Sequence, residues 1–272
     1  MDSDQSKAVQ QILKAKKYAN LSPETVGRIL QWAKARVRKK EVDKTARKKL
    51  HQIYGAYFSQ GAASAFEKMV QRNPEHPAEI KTYCQELMDL HSSSQERQED
   101  LSIFYRKIFE ITGQPDRVID LACGLNPLSY PWIYDHGAIP YVGYDIDQRT
   151  TRIMNDLLVS FGYPVRVHFN DLFLNTPVHK ETDVVLLLKA LPCLEQQEKG
   201  ISLKLLTEIR CRFLVISFPS RSLGGRSKGM EANYETFLNA MVDESIHRVQ
   251  KINFKREIVY VLERIAQISQ II

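Results

Sequence analysis

The sequence predicts an α/β protein in which a doubly wound, mostly parallel sheet ends in an antiparallel hairpin and follows an α-helical N-terminal domain. Three observations predict this fold. The residue pattern is helical from Lys7 to about Tyr105. Beyond Gly113, short apolar runs alternate with helical or loop stretches, as in parallel βαβ units. A single-glycine turn follows the first of these runs, and an acidic residue ends the second. We therefore predict two domains, residues 1–95 and 96–272.

The N-terminal domain is predicted to be helical because apolar residues recur there at helical spacing. Ser22 and Pro23 mark one helix start, with serine at the cap and proline at the first helical position. Further helices are predicted over residues 41–58, 78–90 and 97–109. The outer face of the helix over 41–58 is expected to carry four basic residues, namely Lys44, Arg47, Lys48 and Lys49.

The parallel strands are predicted from short apolar runs in the second half of the chain. The run over residues 183–188 is apolar at every position after its first residue, as expected for a central strand that is covered on both faces. Segments 248–254 and 257–262 are predicted to form the antiparallel hairpin, joined by a tight turn. The five parallel strands are predicted at residues 117–122, 140–145, 165–169, 183–188 and 213–218.

The turn over residues 122–124 indicates a ligand site at the end of the first strand. Its glycine lets the backbone approach a ligand, and Asp145 at the tip of the second strand would accept hydrogen bonds from a ribose diol. One glycine is too few for the G-x-G-x-x-G pattern that binds a pyrophosphate. The D-x-A-x-G pattern from Asp120 to Gly124 instead resembles motif I of the S-adenosylmethionine (SAM) methyltransferases, whose ligand has no phosphates.

Composition and charge indicate a globular protein with a basic N-terminal segment. Of 272 residues, 43% are hydrophobic and 26% are charged. No segment approaches the ~18–20 uncharged apolar residues that span a bilayer, and there is no signal-peptide pattern, so we expect a cytoplasmic protein. Residues 1–50 hold fourteen Lys/Arg against five Asp/Glu, a local charge of +9 that suggests a polyanion partner. The cysteines form no C-x-x-C pair and suggest neither zinc nor disulfides; they are Cys84, Cys123, Cys193 and Cys211.

Several longer segments resemble one family, the aminoglycoside-resistance methyltransferases of the Arm/Rmt type, over nearly the whole chain. Those enzymes methylate a guanine N7 in the decoding-site helix of 16S ribosomal RNA. The resemblance implies a Rossmann-like class I SAM-dependent methyltransferase sheet plus the N-terminal helical domain. It also implies SAM as cofactor, 16S rRNA within the 30S subunit as partner, no metal, no membrane contact and a monomer. The segments are residues 48–56, 91–97, 120–128, 186–192, 216–231 and 233–234.

The resemblance assigns a cofactor role to individual residues. It implies that Ala122 and Gly124 support the adenosyl group, that Asp145 binds the ribose hydroxyls, and that Arg97 pairs with the methionyl carboxylate, for which its planar guanidinium is suited. Asp171 and Leu172 would bracket the adenine, with His91, Ser92 and Ser93 closing over the methionyl end. The remaining implied contacts are Tyr57, Leu188 and Gln197.

The resemblance also implies an RNA-binding surface. Glu257 matches a family glutamate beside the target base, although Arg256 stands where the family usually has asparagine. The loop over residues 220–230 would fold on the target nucleotide, with its cations holding phosphates while the base is extruded. The structural alternatives are a flexible surface loop for residues 220–230 and a solvated face for the basic helices. The residues expected to contact RNA are Arg221, Arg226 and Lys228 in the loop, and Lys34, Arg36, Arg47, Lys48 and Lys49 in the helices.

The expected chemistry requires no catalytic dyad. Guanine N7 carries a lone pair and no proton, so methyl transfer needs in-line placement and a site that tolerates the moving charge, without a general base. Two alternatives remain open. Cys193 follows a proline after the fourth strand, where cytosine-C5 methyltransferases place their nucleophile, although a buried, inert thiol is the simpler interpretation. The chain could also be a non-catalytic RNA-binding module that has kept the fold.

Overall fold

The N-terminal part of the chain forms a small helical core of its own. The computed structural model describes residues 3–55, 62–72, 74, 76–177, 183–220 and 230–265. Its first helices are α1 (Ser3–Leu13), α2 (Pro23–Lys34) and α3 (Val42–Leu50), the last continued by a π-helical turn at His51–Gly55. The start of α2 is as predicted, because Ser22 Oγ accepts a hydrogen bond from the Thr25 amide at 3.0 Å. The apolar faces of these helices pack together, with Val9, Ile29 and Leu50 fully buried.

The next helices belong to the core of the sheet. They are α4 (Ala62–Val70), α5 (Ile80–Met88), α6 (Ser92–Gln95) and α7 (Leu101–Thr112). Phe66 of α4 and Leu87 of α5 are buried in the same apolar cluster as Phe104 of α7 and strand residues such as Val118. The boundary between the hydrophobic cores therefore lies between residues 53 and 66, some way before the predicted domain boundary at residue 95. The reason is that the apolar faces of α4 and α5 pack in the cluster that also holds the strand residues, as Tyr83, Cys84 and Met88 of α5 do.

The sheet has the predicted strands and the predicted closing hairpin. The seven strands of the described residues run in the order β3-β2-β1-β4-β5-β7-β6. All neighbours are parallel except β5 with β7 and β6 with β7. The strands are β1 (Val118–Leu121), β2 (Tyr141–Asp145), β3 (Val165–Phe169), β4 (Val184–Leu188), β5 (Phe213–Pro219), β6 (His247–Asn253) and β7 (Glu257–Arg264).

Helices cover both faces of the sheet, as the apolar fourth strand requires. Along β4 every residue is buried, with Leu186 in the apolar cluster of one face and Val185 and Leu187 in that of the other. Among the described residues, no helix is long and apolar enough to cross a membrane. The helices of the sheet region beyond β1 are α8 (Tyr130–Tyr134), α9 (Gln148–Ser160), α10 (Leu191–Gln197), α11 (Ile201–Glu208) and α12 (Met230–Asn239).

Buried polar contacts join the N-terminal core to the sheet region, and one of them corrects a prediction. Lys49 was expected on the outer, RNA-binding face of its helix, yet it is only 7% exposed. Its Nζ donates a hydrogen bond to the Gln196 carbonyl of α10 at 2.7 Å and lies 4.9 Å from the centre of the Trp32 ring. Helical spacing alone could not distinguish a solvent-facing lysine from one that faces a second core. Lys49 is therefore an anchor between the two cores.

We predict that Lys49→Ala lowers the free energy of unfolding by about 1–3 kcal/mol, because the Gln196 carbonyl loses a charged donor in a partly buried contact. Lys48, one residue earlier on α3, is exposed and serves as the matched control. Its replacement by alanine should change the stability by less than about 0.5 kcal/mol. Urea unfolding followed by circular dichroism measures both. Equal losses for the two variants would contradict the anchoring role.

Candidate functional site

A cavity opens at the carboxyl ends of the parallel strands, where the strand order reverses between β1 and β4. This is the position at which doubly wound sheets bind ligands. Its wall combines residues after β1, β2, β3 and β4 with residues from the N-terminal helices, which supply Arg28, Ile53 and Tyr54. The predicted cofactor residues on the wall are His91, Ser93, Arg97, Ala122, Gly124, Asp145, Leu172, Leu188 and Gln197.

The turn after β1 has an unusual backbone at two positions. Ala122 has a φ of 53° and Gly124 a φ of 51°, both in the left-handed region that side-chain-bearing residues rarely adopt. A β-carbon added to Gly124 would lie 3.5 Å from the His91 ring. Between them, Cys123 is buried, and burial raises the pKa of its thiol well above the usual value. The thiol packs against Gly143 of β2, and its raised pKa favours the protonated, unreactive form.

Asp145 is held by the turn that it was predicted to serve. Its Oδ2 accepts a hydrogen bond from the Gly124 amide at 2.9 Å, and its Oδ1 accepts one from the Asp147 amide at 3.1 Å. Burial raises the pKa of Asp145 to about 6, while the two amide hydrogen bonds oppose that rise. The carboxyl group is therefore ionised at neutral pH and keeps lone pairs for a diol in the cavity.

Asp120 is a site residue that the sequence reasoning missed, although it opens the D-x-A-x-G pattern. It is 1% exposed, and its Oδ2 accepts hydrogen bonds from Asn126 Nδ2 at 2.7 Å and from the Tyr141 hydroxyl. Its Oδ1 lies buried on the cavity wall and has no hydrogen-bond partner in the part of the chain that the structure describes. Burial raises the pKa of this carboxyl group to about 6. The unpaired acceptor fits a ligand that carries a donor such as an ammonium group.

Arg97 makes contacts that differ from its expected role. The side chain is 3% exposed. Its NH2 and Nε donate to Glu257 Oε1 and Oε2 at 2.6 and 3.0 Å, and its NH1 donates to Asn126 Oδ1 at 2.5 Å. The guanidinium lies on the cavity wall, but the carboxylate that it holds here is that of Glu257. A ligand carboxylate would have to share the remaining N–H groups of Arg97.

Lys189, which the sequence reasoning also missed, completes a cluster of buried charges at this end of the cavity. Its Nζ donates to Glu96 Oε2 at 2.7 Å and to the Ser93 carbonyl at 3.0 Å, and it lies 3.5 Å from Glu257 Oε2. Although burial opposes it, Arg97 and Lys189 hold the pKa of Glu257 below its usual range. Glu257 is 1% exposed and is absent from the described cavity wall, so the structure places it behind the two cations.

His91 lies on the wall between this cluster and the glycine turn. Burial lowers the pKa of the imidazole to about 4, and the nearby charges of Lys189 and Arg97 act in the same direction. The ring is therefore neutral at physiological pH. Its Nδ1 lies 3.2 Å from Ser94 Oγ, a contact that orients the ring over the turn.

Two predicted contact residues point elsewhere. The Asp171 side chain is absent from the described cavity wall, and its Oδ2 accepts hydrogen bonds from Thr25 Oγ1 at 2.8 Å and from Arg28 NH2 at 3.4 Å. It thus binds α2, because that helix packs across the end of β3. Ser92 also lies off the wall, although Ser93 lies on it. Tyr57, Arg221, Arg226 and Lys228 lie outside the described residues.

The predicted RNA-binding residues of the helices divide by exposure. Lys34, Arg36 and Lys48 are exposed, whereas Arg47 is half-buried and donates to Asp43 Oδ2 at 2.8 Å. Lys49 is buried, as described above. In the part of the chain that the structure describes, no group of three or more His, Cys, Asp or Glu residues could hold a metal ion.

Comparisons with known proteins match nearly the whole chain to one family. The family model for ribosomal RNA methyltransferases (FmrO) matches residues 14–261. The 16S rRNA (guanine(1405)-N(7))-methyltransferase of Micromonospora echinospora is 34% identical over 261 residues, covering 94% of this chain and 95% of the relative. The enzyme of the same name from Proteus mirabilis is 32% identical over 93% of this chain and 95% of its own length.

Solved structures agree with that match. The 16S rRNA methyltransferase RmtF in complex with S-adenosyl-L-homocysteine is 32% identical and superposes with a TM-score of 0.84, covering 97% of this chain and 100% of that one. The 16S rRNA methylase RmtB is 27% identical with a TM-score of 0.79 and the same two coverages. The predicted fold class is thereby confirmed.

We predict that the contribution of Asp120 to the stability of the ligand-free protein falls as the pH rises from about 4 to about 6, because its carboxyl group must ionise inside the fold. The folded pKa of about 6 lies above the unfolded value of about 3.8, so the protonated carboxyl group stabilises the fold at low pH. Asp120→Asn removes this contribution. Between pH 5.0 and 7.5 the wild type should lose about 1 kcal/mol more unfolding free energy than the variant. Urea unfolding at both pH values measures it, and an equal loss would refute the assignment.

Proposed function

We infer the function from one premise, that this chain belongs to the ribosomal RNA methyltransferase (FmrO) family. It is a SAM-dependent 16S rRNA (guanine(1405)-N(7))-methyltransferase, as are relatives that match it over more than nine-tenths of its length. The predicted activity and cofactor are confirmed by these relatives and by the structural neighbour that holds S-adenosyl-L-homocysteine. Methylation at this guanine is the basis for proposing resistance to aminoglycosides of the kanamycin and gentamicin type.

The observation that carries the proposal of a cofactor site is the match between the acceptors on the cavity wall and the donors of SAM. Asp145 and the left-handed turn at Gly124 offer acceptors and close backbone approach, with no phosphate-binding pattern beside them. Asp120 Oδ1 is a buried acceptor on the same wall with no partner among the described residues, which suits the ammonium group of a methionyl moiety. The residues present therefore fit a ligand that has a ribose and an amino-acid end.

The chain's residues act by placement and by charge balance. When bound, SAM supplies an electrophilic methyl group on a sulfonium. Transfer of that methyl group to the N7 lone pair, with S-adenosylhomocysteine as the leaving group, would need no base, so the wall would only have to tolerate a positive charge that moves from sulfur to the guanine. Asp145 orients the ribose, and Asp120 balances the cationic end. The cluster of Arg97, Lys189 and Glu257 keeps the neighbouring wall rigid and polar.

We further propose that the substrate is the assembled 30S subunit, that the enzyme works as a monomer in the cytoplasm, and that no metal takes part. The exposed cations Lys34, Arg36 and Lys48 lie on or beside helices that border the cavity, which supports a phosphate-docking role. A second group of cations, Arg221, Arg226 and Lys228 in the predicted loop over residues 220–230, would hold the phosphates around the extruded guanine.

A cytosine-C5 methyltransferase is a second candidate because Cys193 lies on the cavity wall, in the first turn of α10. Its backbone carbonyl accepts a hydrogen bond from Gln197 Nε2 at 3.3 Å. Position alone favours this candidate. A non-catalytic RNA-binding module is the other alternative, and a wild-type protein that does not bind the cofactor would indicate it.

We predict that unmodified 30S subunits incubated with the enzyme and SAM acquire 7-methylguanine at one position, which borohydride–aniline cleavage detects as a strand break. Cys193→Ser should keep the rate within about threefold, because N7 methylation needs no nucleophilic thiol. Asp145→Ala should weaken S-adenosylhomocysteine binding by about tenfold or more in calorimetry. A 5-methylcytosine product abolished in Cys193→Ser would establish the second candidate instead.

We predict that reversing three exposed charges (Lys34→Glu, Arg36→Glu and Lys48→Glu together) weakens 30S binding on the order of 100-fold at moderate salt, because phosphate contacts dominate RNA affinity. Filter binding at several salt concentrations measures this loss, and the salt dependence should become shallower. Calorimetry should show unchanged binding of S-adenosylhomocysteine.

The matched control reverses three exposed cations of the sheet region, namely Arg106 in α7 and Arg166 and Arg212 at the starts of β3 and β5, the strand ends opposite the cavity. It changes the net charge equally and should leave 30S affinity nearly unchanged. If both triple variants bind equally weakly, the loss of affinity comes from the change in net charge, and the docking surface is refuted.

A further inference from the structure

We propose that Arg28, on the N-terminal helix α2, is a cofactor-binding residue whose Nε–H donates a hydrogen bond to a ring nitrogen of the adenine. The proposal rests on the proposed function, since it concerns the cofactor of that reaction. It adds a base-reading residue from outside the methyltransferase sheet.

The Arg28 guanidinium is held in place by three partners. Its central carbon lies 3.8 Å from the centre of the Phe173 ring. Its NH2 donates to Gln197 Oε1 at 3.2 Å and lies 3.4 Å from Asp171 Oδ2. The side chain is 17% exposed and lies on the cavity wall together with Phe173 and Gln197. Such a clamped side chain offers its free N–H groups in a nearly fixed direction.

One of those groups is unpaired. Arg28 Nε is buried and has no hydrogen-bond partner among the described residues. A buried donor without a partner costs about 1–3 kcal/mol, so such atoms in native structures call for an explanation. Arginine stays protonated, so Nε can only donate. The partner must therefore be an acceptor, which in adenine means a ring nitrogen and excludes the exocyclic amino group.

The position of Arg28 selects the base end of the ligand. Asp145, at the tip of β2, is the ribose acceptor, and the cluster around Arg97 and Lys189 lies on the β1–β4 side of it. Arg28 contacts Asp171 and Phe173, which follow β3 on the opposite side of β2, and reaches across the cavity to Gln197 at the end of α10. A ligand with its ribose at Asp145 and its amino-acid end at the charged cluster would extend its base toward Arg28.

The contact also explains why the adenine-bracketing role of Asp171 is not seen directly. Asp171 holds Arg28 and Thr25 of the same helix, so it reaches the base end through the arginine. Because α2 packs in the N-terminal core, cofactor affinity then depends on the docking of that core.

Calorimetric titration with S-adenosylhomocysteine and its 1-deaza, 3-deaza and 7-deaza analogues tests the proposal. The wild type should bind one of the three analogues about tenfold more weakly than the parent compound. Arg28→Ala should bind the parent about tenfold more weakly and should lose the preference over that analogue, because the shared hydrogen bond is already gone. Arg28→Lys, which keeps the charge beside Asp171 but has no Nε–H at that position, should behave like the alanine variant.

Thr25→Val is the control, since it removes the neighbouring hydrogen bond to Asp171 and leaves the wall residues unchanged. It should keep the wild-type preference between parent and analogue. Thermal melting verifies that each variant is folded. The analogue series on the wild type tests the ring-nitrogen contact even if a variant fails to fold. Equal wild-type affinity for the parent and all three analogues, or an undiminished preference in Arg28→Ala, would overturn the inference. A wild type that binds no S-adenosylhomocysteine would overturn the proposed function as well.

Discussion

The ion pair between Arg97 and Glu257 connects the parts of the chain that surround the cavity. Arg97 lies between helices α6 and α7, Glu257 begins the last strand, and both are almost completely buried. The same arginine holds Asn126 after the glycine turn, and Lys189 after β4 approaches the same glutamate. Removing one partner of such a pair would leave an uncompensated buried charge at a cost of about 3–5 kcal/mol. The shape of this end of the cavity therefore depends on the ion pair.

Two electrostatic environments adjoin within one small site. For Asp120 and Asp145, burial has the largest effect and raises their pKa values to about 6. Glu257 is buried as deeply as Asp120, yet the neighbouring Arg97 and Lys189 keep its pKa low. A cation pair next to moderately weak acids produces a wall that is close to neutral in total charge. Such a wall suits a reaction in which a positive charge moves from sulfur to a base without a proton transfer.

The N-terminal helices serve two surfaces at once. Arg28 and Lys49 face the sheet region and make buried contacts with it, while Lys34, Arg36 and Lys48 face solvent. The high positive charge of the first fifty residues therefore has two origins. Some of it attaches the helices to the body of the enzyme, and the rest remains available for a polyanion. The proposed cofactor site and the proposed RNA surface therefore share the same short helices.

The sequence by itself determined the positions of the strands, the closing hairpin, the start of α2, the glycine turn and the place of Asp145 at the end of β2. These features are local, because apolar periodicity, capping and turn chemistry act over a few residues. Only the tertiary structure decided that Lys49 is buried, that Arg97 holds Glu257, that Asp171 faces α2 and that α4 and α5 join the sheet core. Each of those outcomes pairs groups far apart in the chain, and a pattern that reports which face of a helix is apolar or charged carries no information about what packs against that face.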